Sequence, residues 1–512
     1  MANADDAATL HLVNGGFVPG ELKSSAEPSV LRWQSAFFTQ PFEFSCDGVS
    51  AVHYAVPSPL PKPTGEYCFE LAGGDVLFGE LLGLTDDDAE LDVARIGRLH
   101  VRRDQIRRLY RWSTGADLIY LGPNGLADWK ESAATKLWRE EGGHPLTDKD
   151  GAHLRGDFRI PAQAIVEFEL SWKTKPDFVL ALGVNDSDDE TIFKRAYRFE
   201  VWDNELVVRC ELGLEADVEA VQEISSGPGR THLLAYLDQE KGRLLVFSPS
   251  GKQLAEISVM PRKKLLYSGL RLTNKRGDVR LERLHITRWN GMPPREVQAN
   301  KSRLHRTDGS IVYGRLVAYD ADAKQFTVRD GDDEMKVAAD QIASVFLSPP
   351  DDTSLRSFRA VYQDGTRLSG ELTRVGEDHL SMISPGIREP LSLPLSQLRS
   401  LVLLKHEVIS ASSSAAGRAG RLEMNGLLLR GRLTNGREES DASCLVWHPE
   451  HSETASPLRP GVSGRIVYRD PPPPAPKPTP QQLQQRAQRP VGFADAFLQA
   501  LAGGPQSAPP PT

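Results

Sequence analysis

A pair of glycines five residues apart recurs five times along the chain, and no other feature constrains its fold as strongly. In every copy the second glycine is followed by Glu or Arg and then by Leu. The first glycine belongs to a tight-turn dipeptide such as Asn-Gly or Asp-Gly, where the turn requires φ > 0. The second glycine falls inside the next strand, which indicates a sharp bend or a bulge. The pairs are Gly15/Gly20, Gly74/Gly79, Gly309/Gly314, Gly365/Gly370 and Gly426/Gly431.

The spacing of the turn glycines predicts that a separate domain is inserted into the repeat array. Three of the four steps between them are close to 60 residues, whereas the step from Gly74 to Gly309 is 235 residues. Each repeat ends alike, as in LHVRRDQIRRLY (99–110) and MKVAADQIASVF (335–346), with one helical turn between two apolar strands. A unit of five short strands with a bent second strand resembles the small Sm-like or SH3-like barrel. Because Sm-like barrels often bind RNA, this resemblance implies RNA binding as one alternative function.

The insert is rich in strands that alternate or carry hairpin turns at Asp-Asn, Lys-Gly, Ser-Gly and Arg-Gly. Turns at that density are typical of a sandwich. The segments 152–172, 242–257 and 268–291 resemble the concanavalin A-like jelly roll of the laminin-G and laminarinase superfamily. That resemblance implies a two-sheet sandwich related to glycan-binding modules, glucanases and keto-disaccharide hydrolase-like domains.

We therefore predict an all-β fold: five small five-stranded barrel repeats with an inserted β-sandwich of the jelly-roll type. Proline-rich and low-complexity stretches separate the folded parts. The predicted boundaries are 9–55 for barrel unit 1, 56–66 for a proline-rich linker, 67–113 for unit 2, 114–291 for the sandwich, 300–347 for unit 3, 357–405 for unit 4, 418–469 for unit 5, 470–490 for a disordered proline-rich linker, 491–502 for a short amphipathic helix and 503–512 for a disordered tail.

The charge balance argues against a whole-chain polyanion binder. Lys and Arg number 61 and Asp and Glu 69, so the formal net charge is −8, whereas phosphate binding needs a cationic surface. One basic stretch stands beside Tyr110 and Trp112, but acidic residues at 86–92 offset its charge, so we expect an ion-paired or solvated face and no nucleic-acid partner. Its arginines are Arg102, Arg103, Arg107, Arg108 and Arg111.

Targeting and metal signals are weak. No apolar run is long enough to span a membrane as a helix. The first ten residues lack the basic start and apolar core of a signal peptide, although Ala2-Asn3-Ala4 resembles the end of a cleavage site, so export stays open. The four cysteines, Cys46, Cys68, Cys210 and Cys444, are spaced too widely for a zinc site and are expected to be small buried side chains. We expect no cofactor and no metal, and the acidic segment 186–190 matches no calcium loop.

A glycosidase needs two carboxylates flanking the sugar bond. The nearest candidates are Glu200, Asp203 and Glu205. Strand alternation would place Glu200 on the face opposite Asp203 and Glu205, and Asp203-Asn204 is typical of a hairpin turn. The sequence therefore favours a non-enzymatic scaffold or recognition protein, with a carbohydrate-active hydrolase as the alternative.

Aromatic residues are the candidates for ligand binding. Trp172 and Trp202 of the sandwich could stack on a sugar or, equally, belong to its core. In the C-terminal helix, Phe493, Phe497 and Leu501 form one apolar face that could dock a partner or pack on the chain's own barrels. The sequence thus predicts a glycan or protein partner without naming it.

Overall fold

The computed structural model describes residues 8–57, 60–112, 118–131, 137–141, 143–185, 190–261, 267–292, 297–298, 301–308, 310–347, 357–404, 418–435 and 445–468. The predicted docking helix with Phe493, Phe497 and Leu501, the linker 470–490 and the tail lie outside the described residues. The structure confirms an all-β fold, since the described part of the chain holds 41 strands and one short α-helix.

Units 1 and 2 each contain five antiparallel strands. The apolar residues of these strands alternate with outward-facing polar ones, which produces one buried face per strand. Unit 1 comprises β1 (Ala8–Leu12), β2 (Phe17–Lys23), β3 (Val30–Gln34), β4 (Phe42–Ser45) and β5 (Val49–His53), and unit 2 comprises β6 (Tyr67–Leu71), β7 (Val76–Leu84), β8 (Asp88–Val93), β9 (Gly97–Arg102) and β10 (Ile106–Arg111).

Units 3, 4 and 5 repeat this plan, although the second strand of unit 3 is broken in two at Gly314. The bounds of unit 3 are β26 (Arg303–Arg306), β27 (Ile311–Tyr313), β28 (Arg315–Asp320), β29 (Gln325–Asp330), β30 (Asp333–Ala338) and β31 (Ile342–Phe346). Unit 4 comprises β32 (Phe358–Tyr362), β33 (Arg367–Val375), β34 (His379–Ile383), β35 (Leu391–Pro394) and β36 (Leu398–Leu403), and unit 5 comprises β37 (Ala419–Met424), β38 (Leu427–Asn435), β39 (Leu445–Pro449), β40 (Ser456–Pro457) and β41 (Arg465–Val467).

The first strand of each unit pairs with the second strand and also with the last, so each unit closes on itself. In units 2 and 3 a single 3-10 turn precedes the last strand, as the shared Asp-Gln-Ile ending predicts. Unit 1, whose ending differs, has one as well, whereas residues 395–397 of unit 4 form a bend and a turn in place of the predicted helical turn. Buried side chains from all five units form one continuous apolar cluster. The five units therefore share one apolar core.

The repeated glycines have two different physical reasons. The described turn glycines have positive φ, as the tight-turn dipeptides predict. For example, φ is 86° at Gly74 and 89° at Gly365. At the second glycine the reason is chiefly a close backbone approach. A Cβ on Gly370 would lie 2.2 Å from the Ile383 carbonyl oxygen, and the second glycines of the other units meet a carbonyl of the neighbouring strand in the same way.

The inserted domain is a sandwich of two antiparallel sheets with a common apolar core. We call the first the barrel-facing sheet; its strands are β11 (Leu118–Gly122), β13 (Arg139–Glu141), β14 (His144–Thr147), β16 (Gln163–Trp172), β21 (Gly229–Asp238), β22 (Arg243–Phe247), β23 (Gln253–Ser258) and β25 (Val279–Arg288). The second, the open sheet, comprises β12 (Lys130–Glu131), β15 (His153–Asp157), β17 (Asp177–Val184), β18 (Tyr197–Trp202), β19 (Glu205–Leu212), β20 (Glu215–Glu223) and β24 (Gly269–Arg276). The helix α1 (Glu190–Arg195) precedes β18.

Candidate ligand-binding face

The outer surface of the open sheet carries an exposed tryptophan among charged side chains. In β18, Tyr197, Phe199 and Val201 are buried in the sandwich core, so the alternate residues point outward. Cross-strand partners share a face, and β19 adds its own outward residues opposite them. We call this surface the Trp202 face; it consists of Arg198, Glu200, Trp202, Glu205, Val207, Arg209 and Glu211.

Trp202 is held in place while much of its ring stays in solvent. The residue is 43% exposed. Its indole Nε1 donates a hydrogen bond to Glu200 Oε2 at 3.0 Å. The Arg209 guanidinium carbon lies 5.6 Å from the ring centroid, within the range of a cation–π contact. An indole fixed in this way can offer a flat apolar surface to a ligand with little loss of side-chain entropy.

Glu200 is the buried anchor of the Trp202 face, with only 5% of its surface exposed. Its carboxylate lies 3.2 Å from Arg198 Nη1, 3.9 Å from Lys275 Nζ and 4.0 Å from Arg209 Nη1. Arg198 Nη2 also donates to Glu211 Oε1 at 2.6 Å, and Arg209 pairs with the same carboxylate. Both oxygens of Glu200 are thus engaged, and the groups around it are positively charged.

One end of this surface is covered and the other is open. The register places Arg271 and Arg198 on opposite sides of Ala181 in one row across the open sheet. Phe193 of α1 lies over both, with its ring centroid 4.4 Å from the Arg271 guanidinium carbon and 5.4 Å from that of Arg198. The helix therefore closes the Arg198 end, and a ligand would have access at the Trp202 end.

The structure separates the two predicted tryptophans. Trp172 is 5% exposed, packs its ring near Phe178, and donates from Nε1 to the Gly227 carbonyl at 3.2 Å. It belongs to the sandwich core, which is the second of the two alternatives that the sequence left open for Trp172, and its burial does not support a role in ligand binding. The reason is its position on β16, where it shares the inward face with Phe168.

The prediction that Glu200 lies on the sheet face opposite Glu205 is wrong. Glu205 stands opposite Trp202 across the β18–β19 hairpin, so it lies on the same face as Glu200. Alternation along one strand does not hold here, because the chain reverses at Asp203 and Asn204. Asp203 adopts φ of 52° in that turn and pairs with Lys175 at 2.9 Å. Arg198 and Arg209 were missed as site residues, although their alternation with apolar neighbours in β18 and β19 would have placed them beside Trp202.

A second polar cluster is buried where the barrel-facing sheet meets unit 2. Among the described residues, the group that could hold a metal ion is Glu70, Glu167 and His232. However, Arg108 and Arg283 each contact both carboxylates, at 2.8 to 3.3 Å. Burial raises the pKa of Glu167, but Arg108 and His232 outweigh it and hold the pKa well below its usual value. The guanidinium groups already supply the positive charge that a metal would bring, which makes this cluster an interdomain ion network.

Further polar contacts fix the same sheet to other units. Arg367 Nη2 of unit 4 donates to Glu169 Oε2 at 3.1 Å, and His53 of unit 1 lies 3.4 Å from Glu141 Oε2. We call these two contacts, together with the Glu70 network, the seam. Because the seam covers the outer side of the barrel-facing sheet, the Trp202 face lies on the opposite side of the sandwich.

The basic stretch of unit 2 is largely ion-paired, as expected. Arg102 bonds Asp104 at 3.0 Å and Arg111 pairs with Glu66 at 2.7 Å, while Arg108 belongs to the seam. A cavity of about 700 Å³ lies beside Arg103, between units 2 and 3. Its lining mixes acidic and basic residues, namely Asp86, Arg103, Asp104, Lys301, Arg315 and Asp330. That mixture does not favour a polyanion.

The fold and this surface define a class: an all-β protein in which a two-sheet antiparallel sandwich is seated on an array of small closed units. No protein-family model and no curated protein matches the chain. In the described residues, no helix is long and apolar enough to cross a membrane.

Similar solved structures show low overall likeness. A Parabacteroides distasonis protein provisionally assigned as a glycosyl hydrolase is 9% identical, with 33% of this chain and 91% of that chain covered and a TM-score of 0.26. A sialidase is 11% identical, with 55% and 32% covered and a TM-score of 0.27, so the match spans about a third of its length. A Caenorhabditis elegans galectin is 14% identical, with 27% and 91% covered and a TM-score of 0.20. Such scores carry no argument, and the assignment of a sandwich rests on the strand pairing.

Proposed function

We propose that this protein is a non-enzymatic recognition protein that binds glycans through the Trp202 face. The observation that carries the proposal is the half-exposed indole of Trp202, fixed by Glu200 and bordered by charged groups. Sugar-binding sites combine an aromatic surface for the apolar side of a pyranose ring with a few placed polar groups. The barrel array serves as a rigid platform that holds the sandwich by its other sheet.

The charges near the ring favour an acidic sugar. Arg209 and Lys275 flank the Glu200–Trp202 pair, and their side chains are 26% and 43% exposed. A guanidinium group can hold a carboxylate or sulfate through two parallel hydrogen bonds. We therefore expect uronic-acid-containing or sulfated glycans to bind more tightly than neutral ones, with an affinity that falls as salt is added.

The state of Glu200 supports binding without turnover. A glycosidase carboxylate must reach the sugar, either as an acid or as a nucleophile. Glu200 is 5% exposed and its oxygens are engaged by the Trp202 indole and three cations. It is better suited to positioning the ring than to attacking a glycosidic bond. A hydrolase remains the alternative, because Glu205 shares the face with Glu200.

The test is a glycan array probed with the full chain, followed by titration of each hit. Trp202→Ala should lower the affinity by roughly 5- to 150-fold, since stacking on an aromatic ring contributes about 1 to 3 kcal/mol. Trp202→Phe keeps an aromatic surface and should retain part of the affinity. Leu214→Ala is the matched control, because it removes an exposed apolar side chain at the neighbouring β19–β20 turn without touching the Trp202 face. Equal binding by Trp202→Ala and the parent would refute the proposal.

The hydrolase alternative needs its own measurement. Each glycan that binds is incubated with the protein, and the products are separated by chromatography. We expect no released sugar. Release that disappears in Glu205→Gln while binding persists would replace the recognition function with a hydrolase.

A further inference from the structure

Two of the strand pairings that join the barrel units run last strand to last strand. The others, β2 with β38, β7 with β28 and β7 with β33, involve only one or two residue pairs each. The last strand of unit 2, β10, pairs antiparallel with β31 of unit 3. The last strand of unit 4, β36, pairs antiparallel with β5 of unit 1. Four of the five units are thus joined in two pairs, and within the described residues β41 of unit 5 pairs only with β37 of its own unit.

The two pairs have the same register. We call one residue of each last strand its central residue, namely the one that pairs with a core residue of the first strand in the same unit. These central residues face one another, Leu109 with Val345 in one pair and Leu401 with Val52 in the other. The residues one step before and one step after the centre also exchange partners symmetrically. Each pair therefore has a local two-fold axis through its central residues.

The last strand of unit 5, β41, resembles the last strands of the other four units, but within the described residues it lacks a partner strand from another unit. Ile466 stands opposite the buried Leu422 of β37, which makes it the equivalent of the four central residues. Those four are fully or almost fully buried, whereas Ile466 is only partly buried and Arg465 is exposed. Among the residues that the structure describes, no strand pairs with the side of β41 away from β37. Such a strand edge is a template for pairing with another chain.

We propose that β41 pairs antiparallel with β41 of a second copy of this chain, forming a two-fold dimer. A two-fold axis through the central residue is the symmetry that both internal pairs approximate, and identical strands can satisfy it without any change of register. The expected register places Ile466 opposite its own counterpart, and Arg465 of each copy opposite Val467 of the other.

The register makes a test by charge substitution possible, because Arg465 and Val467 flank the core-side Ile466 and their side chains alternate away from it. Val467→Arg would place two arginines opposite each other at both ends of the two-fold contact. Like charges directly across a strand pair are destabilising, so the dimer dissociation constant should rise roughly 2- to 30-fold. Val467→Glu should strengthen the dimer. Arg465→Gln combined with Val467→Arg should restore it, and glutamine is chosen because Arg465 also pairs with Glu423 of its own unit at 2.6 Å, where a second carboxylate would be repelled.

The measurement is sedimentation velocity of the full chain over roughly a hundredfold range of concentration, since dimer formation follows mass action. Thermal melting of each variant checks that unit 5 stays folded. A concentration-dependent dimer that weakens in Val467→Arg and recovers in the double variant supports the proposal. A parent chain that stays monomeric would overturn it, which is the result if the chain's own C-terminal residues or another protein occupied the edge. A dimer that ignores these substitutions would overturn it too.

Discussion

At the residue scale, the second glycine of each repeat lies where the backbones of two adjacent strands are in close contact. The Cβ of any larger residue at Gly370 would enter the Ile383 carbonyl at 2.2 Å, and at Gly314 it would approach the Arg329 carbonyl at 2.8 Å. Real Cβ atoms do not come this close to a carbonyl oxygen, so the strands would have to separate. The glycine is required by its neighbour on the adjacent strand more than by its own φ angle.

Gly370→Val and Gly314→Val should each destabilise the protein by roughly 1 to 3 kcal/mol. Urea unfolding followed by tryptophan fluorescence measures the change. Gly227→Val is the matched control, since nothing lies within 4 Å of a Cβ built there. If Gly370→Val unfolds at the same urea concentration as the parent, the close approach does not constrain unit 4.

At the element scale, the sandwich protects one of its own edges. Strand β23 is the last strand of the barrel-facing sheet. Two of its N–H donors, and that of Met260 just after it, are met by carboxylates of β20 from the other sheet. Asp217 Oδ2 accepts from Ser258 N at 2.7 Å, Glu219 Oε2 from Glu256 N at 2.5 Å, and Glu215 Oε2 from Met260 N at 3.2 Å. The alternating acids thus replace a neighbouring strand and discourage edge-to-edge association.

Replacing Glu215, Asp217 and Glu219 together by Ala should expose the β23 edge and cause self-association. Light scattering after size-exclusion chromatography measures it, with Val467→Arg present so that pairing through β41 does not contribute. The Gln, Asn and Gln replacements are the control, because their side-chain oxygens still accept hydrogen bonds. Association in the control equal to that in the alanine variant would mean that charge, and not hydrogen bonding, protects the edge.

Local patterns in the sequence predicted the elements but not their partners. The turn glycines and the strand alternation are local features, so the repeated units and the two-sheet insert were foreseeable. Trp172 and Trp202 both end strands of alternating residues, and only the opposite sheet decides that the first is covered and the second is not. The contact between Arg108 and Glu167 joins distant parts of the chain, so no spacing could indicate it.

At the scale of the whole molecule, the sandwich and the barrels meet through buried ionisable groups, and this makes the assembly sensitive to acid. His11 of unit 1 lies at the seam, 5.1 Å from the His53 ring, and it faces Glu141, Lys173 and Arg139. Burial lowers the pKa of His11 to about 4, with His53 adding to the effect and Glu141 opposing it. The pKa of His53 is lowered as well, mainly by burial. Both imidazoles are therefore neutral in the folded protein at neutral pH.

The sign of the pH dependence follows from these directions. An unfolded histidine has a pKa of about 6.5, so between that pH and about 4 the unfolded chain binds a proton that folded His11 does not. Stability should therefore fall as the pH drops from 7 to 5, by about 2 kcal/mol from His11 alone. The seam carboxylates such as Glu167, whose pKa is lowered, lose their contribution only at still lower pH.

The substitution His11→Phe measures how much this histidine contributes to the pH dependence, apart from the other residues of the seam. Phenylalanine keeps an aromatic ring beside Phe17, which lies 6.1 Å from the imidazole, and it cannot take up a proton. The loss of unfolding free energy between pH 7 and pH 5, measured with urea, should shrink by about 2 kcal/mol relative to the parent. His379→Phe is the control, because the side chain of that histidine is 43% exposed and lies outside the seam. If His11→Phe keeps the parental pH dependence, His11 does not set the acid sensitivity, and His53, whose pKa is also lowered by burial, is the next histidine to test.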